Sequence, residues 1–134
     1  MEKFTANKGL TPEQILRKDM DLYFSDRFIR DHPERIEEFV NISLLYYQPA
    51  DAFFRQLNAC LKHDTVDRVS QISSPTLIVT GDDDHLVPSE NSVILKELMP
   101  EADLELFAGR RHCFFMEESA KFNRSVARFL LSVG

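Results

Sequence analysis

Long apolar runs, basic clusters and cysteine patterns are all missing from this sequence of 134 residues. No apolar run approaches the roughly 20 residues that are needed to cross a bilayer. Charge interrupts Met1 to Asp21 every few residues, which does not fit a signal peptide. The cysteines, Cys60 and Cys113, form neither a disulfide framework nor a metal-binding spacing. We therefore expect a protein of the reduced cytoplasm with no membrane partner, no metal and no cofactor.

The charge balance also argues against nucleic acid as a partner. The formal net charge is −6 at pH 7, and no basic run is longer than Arg110-Arg111. Hydrophobic residues make up 43% of the chain and charged residues 28%, which is typical of a globular protein. A compact chain of this length buries roughly two thirds of its unfolded surface. The expectation is one domain, or one domain with a small appendage, that has a true core.

The first 72 residues carry helix signals and no strand signal. Thr11 to Gln14 combines an N-cap threonine, a proline at the first helical position and a capping-box glutamine. Ser25 and Pro33 are predicted to begin two further helices, and apolar residues at spacings of three and four follow Pro33. Another helix is predicted from Phe53 to His63. We expect residues 1–72 to form one helical region.

The pattern changes after Pro75. The consecutive apolar residues Leu77 to Val79 suit a strand that is covered on both faces, as in a parallel sheet. Ser89 is predicted to cap the next helix, and the alternation in residues 102–107 predicts a half-exposed strand near a sheet edge. The last helix, residues 119–131, should bury a stripe formed by Phe122, Val126, Phe129, Leu130 and Val133. Residues 73–134 therefore predict a β-α-β-α unit with a right-handed crossover.

A carboxylate and an imidazole follow the two predicted strands. Asp84 lies four residues past the first strand, and His112 lies five residues past the second. Neighbouring parallel strands are about 4.8 Å apart and point their carboxyl ends the same way. Loops of this length can therefore bring Asp84 to His112, where it would fix the tautomer of the imidazole and stabilise its cation. The alternative is an ordinary loop acid and a surface histidine.

Two other chemistries are less favoured by the same stretch. Cys113 could be a thiol nucleophile, but residues next to each other on an extended loop point apart, and its neighbour is His112. The acids Asp82, Asp83 and Asp84, with His85, could bind a metal. Crowded acids in one loop more often face water, and the sequence shows no partner ligands.

Residues 74–131 resemble the C-terminal end of an α/β-hydrolase, a fold that supports esterases, lipases, epoxide hydrolases and carbon–carbon bond hydrolases. The matching residues are Pro75-Thr-Leu-Ile-Val-Thr-Gly81, Asp84 with Val87-Pro88, Gly109-Arg-Arg-His112, Glu117 and Phe122. The resemblance maps the catalytic acid of the family onto Asp84 and its catalytic histidine onto His112. The helical region, residues 1–72, is similar to the lid of such enzymes. The implied fold class is α/β, a helical lid followed by a β-α-β-α unit with a parallel strand pair.

The sequence departs from the family in two places. Arg111 stands where the family usually has a small residue, and a cation there would disfavour the imidazolium unless its side chain points away. The family also places its nucleophile in a Gly-x-Ser-x-Gly elbow. The glycines of this chain are Gly9, Gly81, Gly109 and Gly134, and no two are four apart. Ser89 and Ser92 are better interpreted as helix-start residues. We expect a C-terminal fragment of a hydrolase with an incomplete triad, inactive alone.

Aromatic pairs in the lid-like region have two interpretations. Tyr46 and Tyr47, and Phe53 and Phe54, could line an acyl pocket under the lid. Packing between helices is the preferred interpretation.

Two strands make a poor sheet by themselves. The inner strand, Leu77 to Val79, presents an unpaired apolar edge, which is a template for association. We therefore expect a homo-oligomer through this edge, or a partner that supplies the N-terminal half of a hydrolase. An ester-like small molecule would be the substrate only of the completed protein. The alternative is a non-catalytic binding or scaffolding protein, homo-oligomeric, that reuses half of the fold.

Overall fold

The computed structural model describes residue 7 and residues 9–134. Its elements in chain order are α1 (Pro12–Lys18), α2 (Met20–Tyr23), α3 (Asp26–Asp31), α4 (Pro33–Leu45), α5 (Ala50–Lys62), α6 (Val66–Val69), β1 (Leu77–Gly81), α7 (Glu90–Leu98), β2 (Asp103–Phe107), α8 (Phe114–Glu117) and α9 (Ser119–Val133). The predicted α/β class is confirmed, with helices first and strands alternating with helices afterwards. Within the described part of the chain, no helix is long and apolar enough to cross a membrane.

The helices begin where the local signals predict. At α1 the capping box is complete: the backbone N–H of Gln14 donates to Thr11 Oγ1 at 3.2 Å, and the backbone N–H of Thr11 donates to Gln14 Oε1 at 2.8 Å. Ser25 caps α3, and Pro33 is the first residue of α4. Ser89 differs. Its hydroxyl donates to the carbonyl of Asp82 at 3.3 Å and accepts no capping hydrogen bond from α7, so the predicted side-chain cap is absent.

The two strands form a parallel pair, as predicted. The register runs from Leu77 opposite Asp103 to Gly81 opposite Phe107. In the described residues the sheet has these two strands alone, so β1 has a strand neighbour on one side. The predicted burial of Leu77 to Val79 on both faces is therefore only partial, since Ile78 is buried and its two neighbours are half-buried.

Two apolar clusters hold the fold together. The first joins the helical region to the segment after β2 and consists of Met20, Phe24, Ile36, Val40 and Cys113. The second lies between the sheet and α7 and consists of Val69, Ile78, Met99 and Ala102. On the other face of the sheet, the fully buried ring of Phe107 packs against Phe114, with centroids 4.8 Å apart, and against Phe122. The helical region and α9 are thus both packed against the segment that follows β2.

Several predicted core positions lie at the surface. In α9, Leu130 is 59% exposed and Val133 is 45% exposed, while the other three residues of the predicted stripe are half-buried. The predicted packing of the aromatic pairs between helices is also wrong, because Tyr46 is 82% exposed and Phe54 is 53% exposed. These faces have the right pattern for burial, but no described element of this chain covers them.

The outer strand β2 also differs from its predicted alternation. Glu105 does not face solvent: it turns toward α9, where its carboxylate lies 3.7 Å from Lys121 and 3.7 Å from Arg128. Leu106 is exposed at 43%, because nothing among the described residues covers that end of the opposite face.

Candidate active site

Asp84 and His112 meet beyond the carboxyl ends of β1 and β2. Oδ2 of Asp84 lies 2.9 Å from Nδ1 of His112. The carboxylate side chain is almost fully buried, at 4% exposure, whereas the imidazole side chain is 39% exposed. Among the residues that the structure describes, no hydrogen-bond partner reaches Nε2 of His112. Asp84 therefore fixes the orientation of the imidazole through Nδ1, and Nε2 remains open for another partner.

The two carboxylate oxygens of Asp84 have separate roles. Oδ1 accepts hydrogen bonds from the backbone N–H groups of Leu86, at 2.8 Å, and Val87, at 2.9 Å. This local turn fixes the carboxyl plane, so that Oδ2 faces the histidine. A carboxylate that accepts from Nδ1–H leaves Nε2 as an acceptor. The turn thus leaves Nε2 as the ring nitrogen of His112 that can accept a proton.

The acid loop (residues 82–89) gives each of its three consecutive acids a different partner. Asp82 accepts from the backbone N–H of Gly109 at 2.6 Å. Asp83 lies 3.0 Å from Nε2 of His85 and accepts from Nε of Arg111 at 3.3 Å. Burial works to raise the pKa of Asp83, but the hydrogen bonds from Arg111 and His85 outweigh it and hold that pKa below its ordinary value. No group of three potential metal ligands occurs in the described ranges.

The histidine loop (residues 108–113) lies directly against β1 at Gly81. A Cβ atom at Gly81 would lie 2.2 Å from the carbonyl oxygen of Arg110 and 2.7 Å from that of Arg111. Only glycine permits this approach. The loop itself turns through Gly109, whose φ of +64° is in the left-handed region. These two glycines bring the histidine loop within reach of the acid loop.

Arg111 is accommodated without conflict beside the histidine. Its side chain is 11% exposed, and Nη1 donates to the carboxylate of Asp26 at 3.1 Å while Nε donates to Asp83. Nη1 also donates to the backbone carbonyl of Asp21 at 2.7 Å. Two carboxylates therefore offset the cation that the sequence placed next to His112.

Glu117 ties the helical region to the C-terminal unit, a role that sequence reasoning missed. Its side chain is 2% exposed, and it accepts from the backbone N–H of Ser25 at 2.7 Å and from the Ser25 hydroxyl at 2.6 Å. Nε of Arg110 lies 3.7 Å away. The sequence identified Glu117 only as a position that matches the α/β-hydrolases. Its partner lies 92 residues earlier in the chain, and no local signal points to it.

Cys113 is placed as a core residue and not as a nucleophile. It is buried, and its backbone N–H donates to the carbonyl of Tyr23 at 2.8 Å. Burial, followed by the negative charges of Glu117 and Asp84, raises the pKa of Cys113 to about 11. The nucleophilic thiolate is therefore scarce at neutral pH.

Comparisons with known proteins show the fold family of the chain. Residues 4–119 match the model of the alpha/beta hydrolase fold. Over 103 residues the chain is 32% identical to the "Putative carbamate hydrolase RutD" of Rhizobium rhizogenes, which covers 77% of this chain and 39% of that protein. Over 80 residues it is 38% identical to the 2-hydroxy-6-oxononadienedioate/2-hydroxy-6-oxononatrienedioate hydrolase of Burkholderia vietnamiensis, covering 58% of this chain and 28% of that protein.

A solved structure shows the same fold. The thermophilic esterase from Thermogutta terrifontis superposes with a TM-score of 0.79 at 20% identity, covering 98% of this chain and 48% of that one. The chain thus spans about half of that esterase, and its matched part spans 39% of the Rhizobium protein. The chain belongs to the alpha/beta hydrolase fold family.

Proposed function

We propose that this chain supplies the acid and the general base of a Ser-His-Asp hydrolase, and that the serine lies on polypeptide outside these 134 residues. Asp84 is the acid and His112 is the base. The observation that carries the proposal is the 2.9 Å contact between Asp84 Oδ2 and His112 Nδ1 at adjacent strand ends, with Nε2 left open. Open α/β sheets place their sites at this edge.

The proposed reaction is acyl transfer to the absent serine. Nε2 of His112 would accept the serine proton as the oxygen attacks the carbonyl carbon, and Asp84 would stabilise the resulting imidazolium without taking the proton. His112 would then protonate the leaving group. Water, deprotonated by the same imidazole, would release the acyl product. The chain alone lacks the attacking oxygen, so we expect no turnover from it.

The substrate class in this proposal is an ester or a related hydrolysable bond. Two relatives, named as a putative carbamate hydrolase and a 2-hydroxy-6-oxononadienedioate/2-hydroxy-6-oxononatrienedioate hydrolase, support hydrolysis as the reaction class. The lid-like role of residues 1–72 is part of the proposal. The helical region contacts the histidine loop directly, through the bond from Cys113 to Tyr23.

A second candidate is a non-catalytic, homo-oligomeric binding protein. The exposed apolar side chains of α9 favour it, since Leu131 is 84% exposed and Leu130 is 59% exposed. An exposed apolar surface of this kind is typical of a site that binds another protein. In this proposal the cover is a second copy of the chain. In the preferred proposal it is the N-terminal half of a hydrolase.

A chimeric protein tests the preferred proposal. The N-terminal part of the Rhizobium relative, up to the start of the matched stretch, is joined to this chain, and hydrolysis of p-nitrophenyl acetate is measured. We expect activity that falls at least about a thousandfold in His112→Ala, as for loss of a triad member. The matched control is His63→Ala, because His63 is an exposed histidine at the end of α5. A folded chimera whose activity survives His112→Ala would contradict the proposal.

A further inference from the structure

Arg111 binds the junction between α2 and α3, residues 21–26. Its Nη1 donates to the carbonyl oxygen of Asp21 at 2.7 Å and to that of Phe24 at 3.3 Å. Phe24 is fully buried, so water does not readily replace the arginine at its carbonyl. The two carbonyls belong to the short helix α2 and to the residue that follows it. The residue before His112 therefore closes the end of α2.

The residue after His112 binds the same junction. The backbone N–H of Cys113 donates to the carbonyl of Tyr23 at 2.8 Å, and its side chain lies in the cluster with Met20 and Phe24. The imidazole is thus carried on a segment that is attached on both sides to the helical region.

The other end of the guanidinium reaches the acid loop. Nε of Arg111 donates to Oδ2 of Asp83 at 3.3 Å. Asp83 immediately precedes Asp84, and Arg111 immediately precedes His112. The ion pair and the acid–histidine pair therefore join the same two loops side by side. One side chain, 11% exposed, holds the acid loop, the histidine loop and the α2–α3 junction together.

The geometry requires an arginine. A guanidinium presents donors in a rigid fork, so that Nε and Nη1 can bind partners in two directions at once. A lysine ammonium is a single point of charge, and it can replace one set of these contacts but not both. The fork is what connects the helical region with the acid loop.

We propose that Arg111 is a positioning residue that couples the position of the α2–α3 junction to the alignment of His112 with Asp84. Displacement of the junction would release Arg111, and with it the ion pair to Asp83, which is one of the links between the histidine loop and the acid loop. The imidazole would then no longer be held in a single orientation. The inference rests on the proposed function only in giving the Asp84–His112 pair a role in catalysis. The coupling is a property of this chain.

Nuclear magnetic resonance on the full chain, labelled uniformly with ¹⁵N, tests the coupling through two readouts. The first is the tautomer of His112, read from its two ring nitrogens at a pH where the ring is neutral. The second is the hydrogen exchange rate of the Cys113 amide. In the parent chain we expect one tautomer, with the proton on Nδ1, and a protected amide. In Arg111→Ala we expect mixed tautomers and amide exchange roughly tenfold faster or more.

Arg111→Lys separates the two readouts. The ammonium can still bind the junction carbonyls, so we expect Cys113 exchange within about threefold of the parent. It cannot hold Asp83 at the same time, so the tautomer mixture should persist. The matched control is Arg30→Ala, which removes an exposed arginine that is also paired with an aspartate and should change neither readout.

A single tautomer in Arg111→Ala would overturn the proposal, even if Cys113 exchange rises, because Arg111 would then be an anchor without influence on the pair. If Arg111→Ala does not fold, Asp83→Asn tests the coupling instead. The Asp83 side chain is 48% exposed, and removing its charge leaves the bonds from Arg111 to the junction in place. Mixed tautomers there support the coupling, and a single one overturns it. Neither readout depends on catalysis, so an inactive chimera leaves this test intact.

Discussion

The carbonyl oxygen of Arg110 occupies the space that any side chain at Gly81 would need: a Cβ atom there would lie 2.2 Å away. The last residue of β1 and the histidine loop are therefore in direct backbone contact. Two hydrogen bonds cross the same contact, from the N–H of Asp82 to the carbonyl of Phe107 and from the N–H of Asp83 to that of Arg110.

Gly81→Ala should force the two loops apart. The clash is with backbone atoms that cannot rotate away, so we expect a loss of about 1–3 kcal/mol in the free energy of unfolding, as for overpacking of a core. Urea denaturation measures it. We also expect the resonances of His112 to shift. Gly109→Ala is the comparison, because its Cβ would meet nothing within 4 Å and its cost is limited to the positive φ. An unchanged His112 spectrum in Gly81→Ala would contradict the prediction.

Asp84→Asn should invert the histidine tautomer without unfolding the chain. The amide oxygen can keep the bonds to the N–H groups of Leu86 and Val87 that Oδ1 now makes. The amide nitrogen then faces Nδ1 of His112 as a donor, which moves the ring proton to Nε2. ¹⁵N spectra of the imidazole would show the change.

The same substitution in the active chimera should lower kcat about ten-thousandfold, the order expected when a histidine base is held in the wrong tautomer. Asp82→Asn is its matched control, since Asp82 binds the N–H of Gly109 and not the histidine. Equal losses in the two variants would show that the effect is not specific to the tautomer.

Loss of the carboxylate at Glu117 should weaken the attachment of the helical region to the C-terminal unit. Glu117→Ala leaves the backbone N–H and the hydroxyl of Ser25 without their charged acceptor in a site where the side chain is 2% exposed. We expect a cost of about 2–4 kcal/mol in chemical denaturation, because hydrogen bonds to buried charges are among the stronger ones. Glu38→Ala, at an exposed position of α4, should cost less than about 0.5 kcal/mol. Similar costs for both variants would contradict the structure.

Alkylation should distinguish the two cysteines. At pH 8 iodoacetamide should modify exposed Cys60 in the native chain, while Cys113 reacts only in denaturant, because it is buried and its pKa is raised to about 11. Peptide mass spectrometry reads the two sites. Native Cys113 that reacts as fast as Cys60 would contradict the described burial.

The raised pKa also predicts a loss of stability in alkali. The ordinary value is 9.0 and the folded value is about 11, so the stabilising contribution of the neutral thiol is complete below pH 9. It is lost as the pH rises through the interval to 11. The stability difference between the parent and Cys113→Ala should therefore shrink over that interval. A constant difference would show that the thiol does not titrate with folding.

Features that depend on a few neighbouring residues could be predicted from the sequence. The starts of α1, α3 and α4 follow from Thr11, Ser25 and Pro33, because capping is decided within one turn of helix. The parallel pairing of β1 with β2, and the closeness of Asp84 to His112, follow from the geometry of parallel strands and the lengths of their loops.

Contacts between distant segments could not be predicted in this way. Arg111 binds Asp21, which lies 90 residues earlier, and Glu117 binds Ser25, which lies 92 residues earlier. Ser89 is a residue type that caps helices, but its hydroxyl donates to the carbonyl of Asp82, seven residues earlier, and accepts no bond from α7. Sequence patterns record what a side chain can bind and not which partner the fold brings to it.

The apolar patterns show a third limit. Periodicity in α9 indicates a face that needs cover, and it does so whether or not the covering element belongs to the chain. Leu130 and Val133 match the pattern and are nevertheless exposed. Tyr46, which was predicted to pack between helices as one of an aromatic pair, is likewise exposed.

That uncovered surface predicts self-association of the chain when it is expressed alone. The free edge of β1 and the apolar residues of α9 would both be covered by a second copy. Size-exclusion chromatography with light scattering at micromolar concentration should give a mass above that of one chain. Leu131→Lys, at an 84% exposed position, should shift the mass toward the monomer with little effect on folding. Asn123→Lys adds the same charge to an exposed site nearer the start of α9 and should leave the mass unchanged. A well-folded parent monomer would contradict the prediction, because it would mean that a two-stranded sheet is stable without a partner.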